Sequence, residues 1–358
     1  MARTTTPCCS ALALALSLSL AAAAPPALLP EATIAARAEA ALLGGLLADA
    51  AAMPLHWIYS VSEIARLVGS GEPEFFKTPS CPFYTYPSGS NTPYGQQFMA
   101  YLTTGASDGG FAPAAVEKAY AALYAAAAPW WYKDASTKEF LQNEASGQHW
   151  PSCGGNDDQA DAIVHALPVV ALLGGRGNTS AMLAAADPVI RVTQNTDKGV
   201  AFGLAAARVL EYVIAMNMSG APLLTQVIAD LRDPARASPY ASDSALADGL
   251  QNALDKLSQS NADFVAAVGQ SCDWPFNLWT GSHLIAQLAS SPADFLSGMR
   301  QTILAGGDSG SRSFFVGAAQ GARLGGVDAL PADWKTKATA YAAAAPLAHA
   351  IVAARASA

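Results

Sequence analysis

Charge is scarce in this 358-residue chain: charged residues make up 13% of it, against 52% hydrophobic. A chain so apolar has material for a large core and too little charge to remain disordered. Basic residues are outnumbered by acidic ones, 20 to 28, which leaves a net charge of −8. No basic cluster stands out, so nucleic-acid binding by phosphate neutralisation is excluded. There is no P-loop and no Gly-x-Gly-x-x-Gly after a strand, which removes the common nucleotide-cofactor cradles. Runs of alternating β-branched residues are missing, and so is any repeat of fixed period. Cysteine is scarce. Of five, Cys8 and Cys9 fall in the N-terminal leader, and Cys81, Cys153 and Cys272 are far apart with no C-x-x-C. That spacing argues against a disulfide framework and a structural zinc site, and leaves at least one thiol free.

The N-terminus is read as a targeting segment over residues 1–30. Cys8 to Ala24 is apolar, and Ala22 to Ala24 offers a small-residue cleavage site. The first reading is a secretory signal, hence the secretory pathway or the extracellular space. A chloroplast transit peptide is the alternative, because the first acidic residue is Glu31 and Ser, Thr and Ala are plentiful. No membrane association is expected of the mature form. Asn178 and Asn217 open glycosylation triplets.

From residue 32 onward the pattern is helical, and the expectation is one all-α domain, a bundle running to the end. Ala32 to Met53 lacks internal proline and stops at Pro54. Gly69 to Pro93 reads as a long loop whose aromatics pack. Helices follow over 94–104, 113–127, 136–145, 157–173 and 180–193. After Asn195 one face carries Phe202, Ala206, Val209, Val213 and Met216, with Arg208 and Glu211 off it. Further helices are expected over 221–231, 243–257, 282–288, 292–304, 308–324 and 331–354.

Four segments can carry chemistry. In the first, Asp49 shares an apolar helical face with Gly45, Ala52 and Met53, and His56-Trp57 follow. A buried carboxylate needs a partner or a raised pKa, so Asp49 either caps a neighbouring element or lines a site. His56 is either a packed, hydrogen-bonded residue or a base. The second segment, Tyr94-Gly-Gln96-Gln97, opens a helix capped by Thr92, with two amides that suit a polar ligand or plain solvent. The third runs from Cys153-Gly-Gly through Asn156, Asp157 and Asp158 into a helix with Asp161 and His165 four apart. Helix capping explains one of those polar residues, not all of them. The fourth, Gly306-Gly307-Asp308-Ser309-Gly310-Ser311-Arg312, is a sharp turn into a helix start, suited to a cap or to a hydroxylated or phosphorylated ligand. Gly317 and Gly321 behind it permit close helix packing.

In this order and spacing the segments resemble the ADP-ribosylglycohydrolase superfamily. Gly44 with Ala48-Asp49-Ala50 is similar to its early helix motif, Gly306-Gly307-Asp308 to its late one, and Leu330-Pro-Ala-Asp-Trp334 to the motif that comes after it. Thr193-Gln-Asn195 stands at its middle helix. The finer resemblance, Ala48 to Tyr59 and Gly306 to Arg312, is to the branch that includes the J crystallins. The resemblance implies an orthogonal helical bundle with a central cleft, binding an ADP-ribose-like or other glycosidic ligand. The oligomeric state is left open.

The family's active members hold paired Mg²⁺ on an early Thr-Asp-Asp-Thr and a late Asp-x-Asp-Thr. Here Tyr94-Gly-Gln96-Gln97 replaces the first, and of the second only Asp308 survives, with Gly310 and Ser311 at the other positions. Mg²⁺ demands octahedral oxygen ligation, so two ions are not expected, and at most one would sit at Asp308. The expected catalytic carboxylates are Asp308, Asp49 and Asp158. His56, Gln96, Gln97, Asn156, Asp157, Asn195, Ser309 and Arg312 are the expected ligand contacts, with Arg312 on a phosphate or carboxylate. The activity is either hydrolysis of a glycosidic bond or none, as in a binding or crystallin-like structural member.

Overall fold

The computed structural model describes residues 27–108, 110–235 and 240–357. Most of the expected targeting segment therefore lies outside the described residues. The architecture is all-α, with sixteen α-helices among the described residues and no strand beyond two isolated bridges, Ile58 with Gly307 and Gly155 with Gln194.

The first helix, α1 (Glu31–Ala52), is alanine- and leucine-rich and is buried all round from Ala40 to Ala52. Pro54 converts its end into a 3-10 turn. Then come α2 (Val61–Val68), a long loop, and α3 (Pro93–Asp108). In that loop Phe75, Tyr84 and Tyr86 are buried, as the aromatic content predicted. α4 (Pro113–Ala126), α5 (Ala135–Ala145), α6 (Asp161–Leu173) and α7 (Thr179–Ile190) lead to α8 (Asp197–Met216). Next are α9 (Gly220–Arg232), α10 (Asp243–Asp255), α11 (Asn261–Val268), α12 (Phe276–Gln287) and α13 (Pro292–Leu304). The chain closes with α14 (Ser309–Arg323), α15 (Ala332–Lys337) and α16 (Tyr341–Ala353).

The core is organised on α1, α14, α6 and α8. Glycine lets α1 and α14 touch backbone to backbone: a Cβ on Gly44 would lie 2.6 Å from the Gly317 carbonyl oxygen, and one on Gly321 only 2.3 Å from that of Ala40. α1 and α8 are long and apolar enough to cross a membrane by length and composition, yet 94% of each such stretch is buried inside the fold.

Several elements depart from the expectation. α8 is buried from Gly199 to Ala215 with no solvent face, so Arg208 and Glu211 are core residues. Glu211 accepts from the Gly175 amide at 2.9 Å, and Arg208 lies in the field of Asp243 and Asp230. α6 begins at Asp161, not Asp157, because residues 153–160 are pinned as a loop: Thr196 and Gln194 donate to the Asp157 and Gln159 carbonyls at 3.1 and 3.0 Å. α12 starts six residues earlier than expected. The single helix expected over 331–354 is two, since Thr339 breaks away to donate its amide to the Gly89 carbonyl at 2.9 Å. α2 and α11 were not foreseen. Both have a serine N-cap, Ser60 and Ser260, accepting from an acidic residue's amide three positions on, the capping signature that would have revealed them.

Candidate functional site

Asp308 is held at the start of α14 by a turn only glycine can make. Gly306 and Gly307 have φ of +73° and +66°. The Gly307 carbonyl accepts from the Trp57 amide at 2.8 Å, and the Asp308 amide donates to the Gln270 carbonyl at 2.7 Å. The side chain makes no cap bond to its own helix. Instead its carboxylate gathers side chains: Asn277 Nδ2 at 2.7 Å and Tyr94 OH at 3.1 Å from distant parts of the chain, and Ser311 Oγ at 2.6 Å from α14 itself, all donate to Oδ2. His56 Nε2 stands 3.1 Å from Oδ1. Burial would raise this carboxyl, but His56, Ser311 and the nearby Arg312 charge outweigh it and hold it below the ordinary range.

Asp49 forms the adjoining node, close enough for the Asp308 charge to act on it. It receives Asn91 Nδ2 at 2.8 Å, the Thr92 amide at 2.9 Å and the Thr92 hydroxyl. It thus ties α1 to the start of α3, as the capping reading supposed. Burial pushes its pKa up to about 7, against hydrogen bonds from Thr92 and Asn91 that favour the charged form. An unfolded aspartate titrates near 3.8, so between those values the folded protein holds a proton that the unfolded chain has released. Stability from this group is therefore full below about pH 4, declines as pH rises, and is lost above about pH 7, a span of up to about 4 kcal/mol. Urea unfolding across pH 4–8 should show that decline, and Asp49→Asn should remove its share of the slope. An unchanged slope in the variant would contradict the assignment.

A third buried network runs through α3, α5 and α6. Gln97 donates to Asp134, the N-cap of α5, and accepts at 2.9 Å from His165 Nε2. His165 Nδ1 meets Thr193 Oγ1 at 3.1 Å. The histidine therefore pairs with Gln97 and Thr193, not with Asp161, and burial lowers its pKa to about 3, which keeps it neutral. Asp161 is fully buried, with Asp134 and Asp157 as like-charged neighbours, and burial first and then those charges push its carboxyl well above the ordinary range.

These nodes lie behind a cleft of about 580 Å³. Its walls are Trp57, Tyr59, Phe83 and Tyr132, with Asp134, Lys138, Glu139, Gln159 and Cys272. None of the side chains expected from sequence lines this cleft directly. His56 is one ring behind it, 4.3 Å from Trp57. Gln97 is behind Asp134, and the Asp308 charge reaches Tyr59 and Cys272. Gln96 faces a second, separate pocket. Asp157 is buried, accepts from Gln194 Nε2 at 3.3 Å, and is pushed up to about 6 by burial and then by Asp134.

Four residues depart from their expected roles. Arg312 is wholly buried and donates to the Thr302 and Gly306 carbonyls at 2.9 and 2.6 Å, so it braces the glycine turn instead of meeting a ligand. Asp158 is partly exposed and paired with Lys198 at 3.2 Å. Asn195 is exposed and donates to the Pro151 carbonyl at 3.2 Å. Ser309 is buried, and its hydroxyl has no partner among the described residues. Asn156 is exposed, with its amide on Glu139 Oε2 at 2.8 Å, next to the cleft. Asp134, Tyr132 and Glu139 went unnoticed in sequence. Asp134-Ala-Ser-Thr137 is a legible N-cap, but nothing local shows that it faces a cavity. Cys81, Cys153 and Cys272 are all free thiols.

A family model described as ADP-ribosylglycohydrolase matches residues 30–358. Crystallin J1A of Tripedalia cystophora is 25% identical over 313 residues, spanning 83% of this chain and 90% of that protein. Crystallin J1B of the same organism is 26% identical over 317 residues, with the same two shares. A solved structure described as an ADP-ribosylglycohydrolase-related protein complex shares the fold, with a TM-score of 0.64 at 18% identity over 90% of this chain and 99% of that one.

Proposed function

Because the chain belongs to the ADP-ribosylglycohydrolase family, on its J-crystallin-like branch, we propose that it is a member whose cleft binds an ADP-ribose-like or other glycosidic ligand without the paired Mg²⁺. One observation carries this reading. At two positions where the family motif has carboxylates, this chain has Gly95 and Gly310, and neighbouring side chains fill the space. A Cβ on Gly310 would lie 2.2 Å from His56 Nδ1, and one on Gly95 would lie 2.3 Å from Asp49 Oδ2. The surviving Asp308 has its Oδ2 taken up by Tyr94, Asn277 and Ser311, and its Oδ1 stands 3.1 Å from His56 Nε2. Mg²⁺ requires about six oxygens in strict octahedral geometry. One carboxylate already surrounded by donors does not fit even a single ion.

What remains suits ligand binding. The aromatic wall of Trp57, Phe83 and Tyr132 offers faces and edges for a planar base. Lys138 is the cation among the cleft-lining residues and would meet a phosphate, while Asp134 and Glu139 accept from sugar hydroxyls. A titration of ADP-ribose by calorimetry tests the reading. Wild type should bind, and Trp57→Ala should bind about tenfold or more weakly, the loss expected of a desolvated aromatic contact. Equal affinity in the variant, or no binding to either, would remove it.

A second reading, hydrolysis without metal, is favoured by one feature. Glycoside cleavage needs a carboxyl that keeps its proton near neutrality and a second carboxylate. Asp134 lies on the cleft wall, and next to it, wholly buried behind that wall, burial and then the Asp134 charge push the Asp161 carboxyl well above the ordinary range. Glycoside turnover in EDTA that is lost in Asp161→Asn would support this reading, and its absence would leave binding alone.

A further inference from the structure

Two glutamates from different helices meet outside the cleft. Glu117, on α4, is only 7% exposed, and Glu144 sits in the last turn of α5. The two carboxyl groups are in hydrogen-bond contact with one another. Two carboxylates do not share a contact unless a proton or a cation stands between them. The place of Glu144 adds to the cost, because a helix C-terminus is the negative end of its dipole and no basic residue occupies that turn.

The group that answers both is the His149 ring. After α5 the chain reverses at Gly147, with φ of +76°, and the Gln148 amide returns to the Asn143 carbonyl at 2.9 Å. That turn brings His149 back over the glutamates: Nδ1 stands 2.8 Å from Glu117 Oε1 and 3.1 Å from Glu144 Oε1. The neighbouring Trp150 amide donates to Glu117 Oε2 at 3.1 Å, which fixes that carboxylate and leaves Oε1 turned to the histidine. One ligand atom from each of the three side chains lies within 4.8 Å of the other two. Donors bound to one zinc ion at about 2.0–2.2 Å stand about 3.0–3.5 Å apart, so the two histidine–carboxylate separations are within a few tenths of an ångström of a shared coordination sphere. The His149 side chain is 66% exposed, so the ring is free to make that adjustment and solvent reaches the open side.

We propose that Glu117, Glu144 and His149 form a binding site for a single divalent transition-metal ion of the zinc type. The donor set decides the class. A neutral imidazole with two carboxylates suits Zn²⁺, whereas Mg²⁺ and Ca²⁺ take oxygen ligands. The ion replaces the Nδ1 proton, neutralises both carboxylates and keeps water on its solvent side. The Trp150 amide is the outer bond that orients a ligating carboxylate. None of the three residues lines the cleft or stands in the early or late family motif, so this site is separate from the metal-free reading of the cleft, and neither depends on the other.

Calorimetric titration of Zn²⁺ into the full chain, stripped with EDTA and dialysed, tests the site, with thermal unfolding as the second readout. Wild type should take up one Zn²⁺ with Kd on the order of 10 μM or tighter, and the bound ion should raise the melting temperature. His149→Ala and Glu144→Gln should each weaken binding about tenfold or more, since the loss of even an outer partner has an effect of that size. His149 is exposed and Glu144 half-buried, so neither change empties the core. His349→Ala removes the other exposed histidine that has a carboxylate neighbour, Glu39 at 3.4 Å, and should bind as wild type does. Equimolar Mg²⁺ should not displace the ion. Absence of a one-to-one Zn²⁺ event, unchanged affinity in His149→Ala and Glu144→Gln, an equal loss in His349→Ala, or displacement by equimolar Mg²⁺ would each overturn the proposal.

Discussion

Asp308→Ala is expected to lower stability by about 3–5 kcal/mol, the cost of removing one partner from a buried charged network. The reason lies in the residues left behind. His56 and Asn277 are wholly buried, and Tyr94 nearly so. Each points a polar atom at a carboxylate that would no longer exist, and water does not reach it. Asp308→Asn keeps the shape and one acceptor, so its loss should be nearer about 1–3 kcal/mol. Urea unfolding of the two variants beside wild type measures both. A change in Asp308→Ala within about 0.5 kcal/mol, the range of ordinary surface substitutions, would mean that the network is not what holds α14, α12 and the His56 turn together.

Gly310→Asp, the substitution that writes the family's second carboxylate back into the late motif, is expected to be nearly as damaging. Its Cβ would meet His56 Nδ1 at 2.2 Å and Thr92 Cγ2 at 2.9 Å, and its carboxylate would enter beside buried Asp308. Overpacking and like-charge burial together should cost about 3 kcal/mol or more. Removing the obstacle should recover part of this loss, so that Gly310→Asp with His56→Ala is less destabilised than the sum of the two single variants. The expected coupling is about 1–3 kcal/mol. Additive effects would show that His56 does not occupy the place of the missing side chain.

The legible part of the structure was what depends on local pattern. Proline and glycine placement gave the ends of α1 and the start of α14, and the aromatic loop packs as its composition implied. The order of the glycine-bearing segments carried the family resemblance, which the match over residues 30–358 bears out. The direction of side chains within elements buried all round was hidden. Periodicity distinguishes a core face from a solvent face only where solvent exists. In α8 it does not, so Arg208 and Glu211 were misjudged. Arg312 misled for a related reason: an arginine beside an aspartate at a helix start suggests an anion site, yet here it holds main-chain carbonyls of its own turn. The cleft walls come from residues 57, 83, 132–143, 159 and 272, which no single stretch of chain announces.

The central claim is a ligand-binding cleft that works without a metal, and the direct test is the melting temperature of the protein titrated with ADP-ribose, in EDTA and in Mg²⁺. A ligand that binds only the native state must raise the melting temperature, by about 2.7 kcal/mol of stability at a hundredfold excess over Kd. The account predicts a rise that is the same in both solutions. A rise that appears only with Mg²⁺ would contradict it, because the site would then still use an ion despite the carboxylates it lacks. So would the absence of any rise, which would leave the cleft without this ligand.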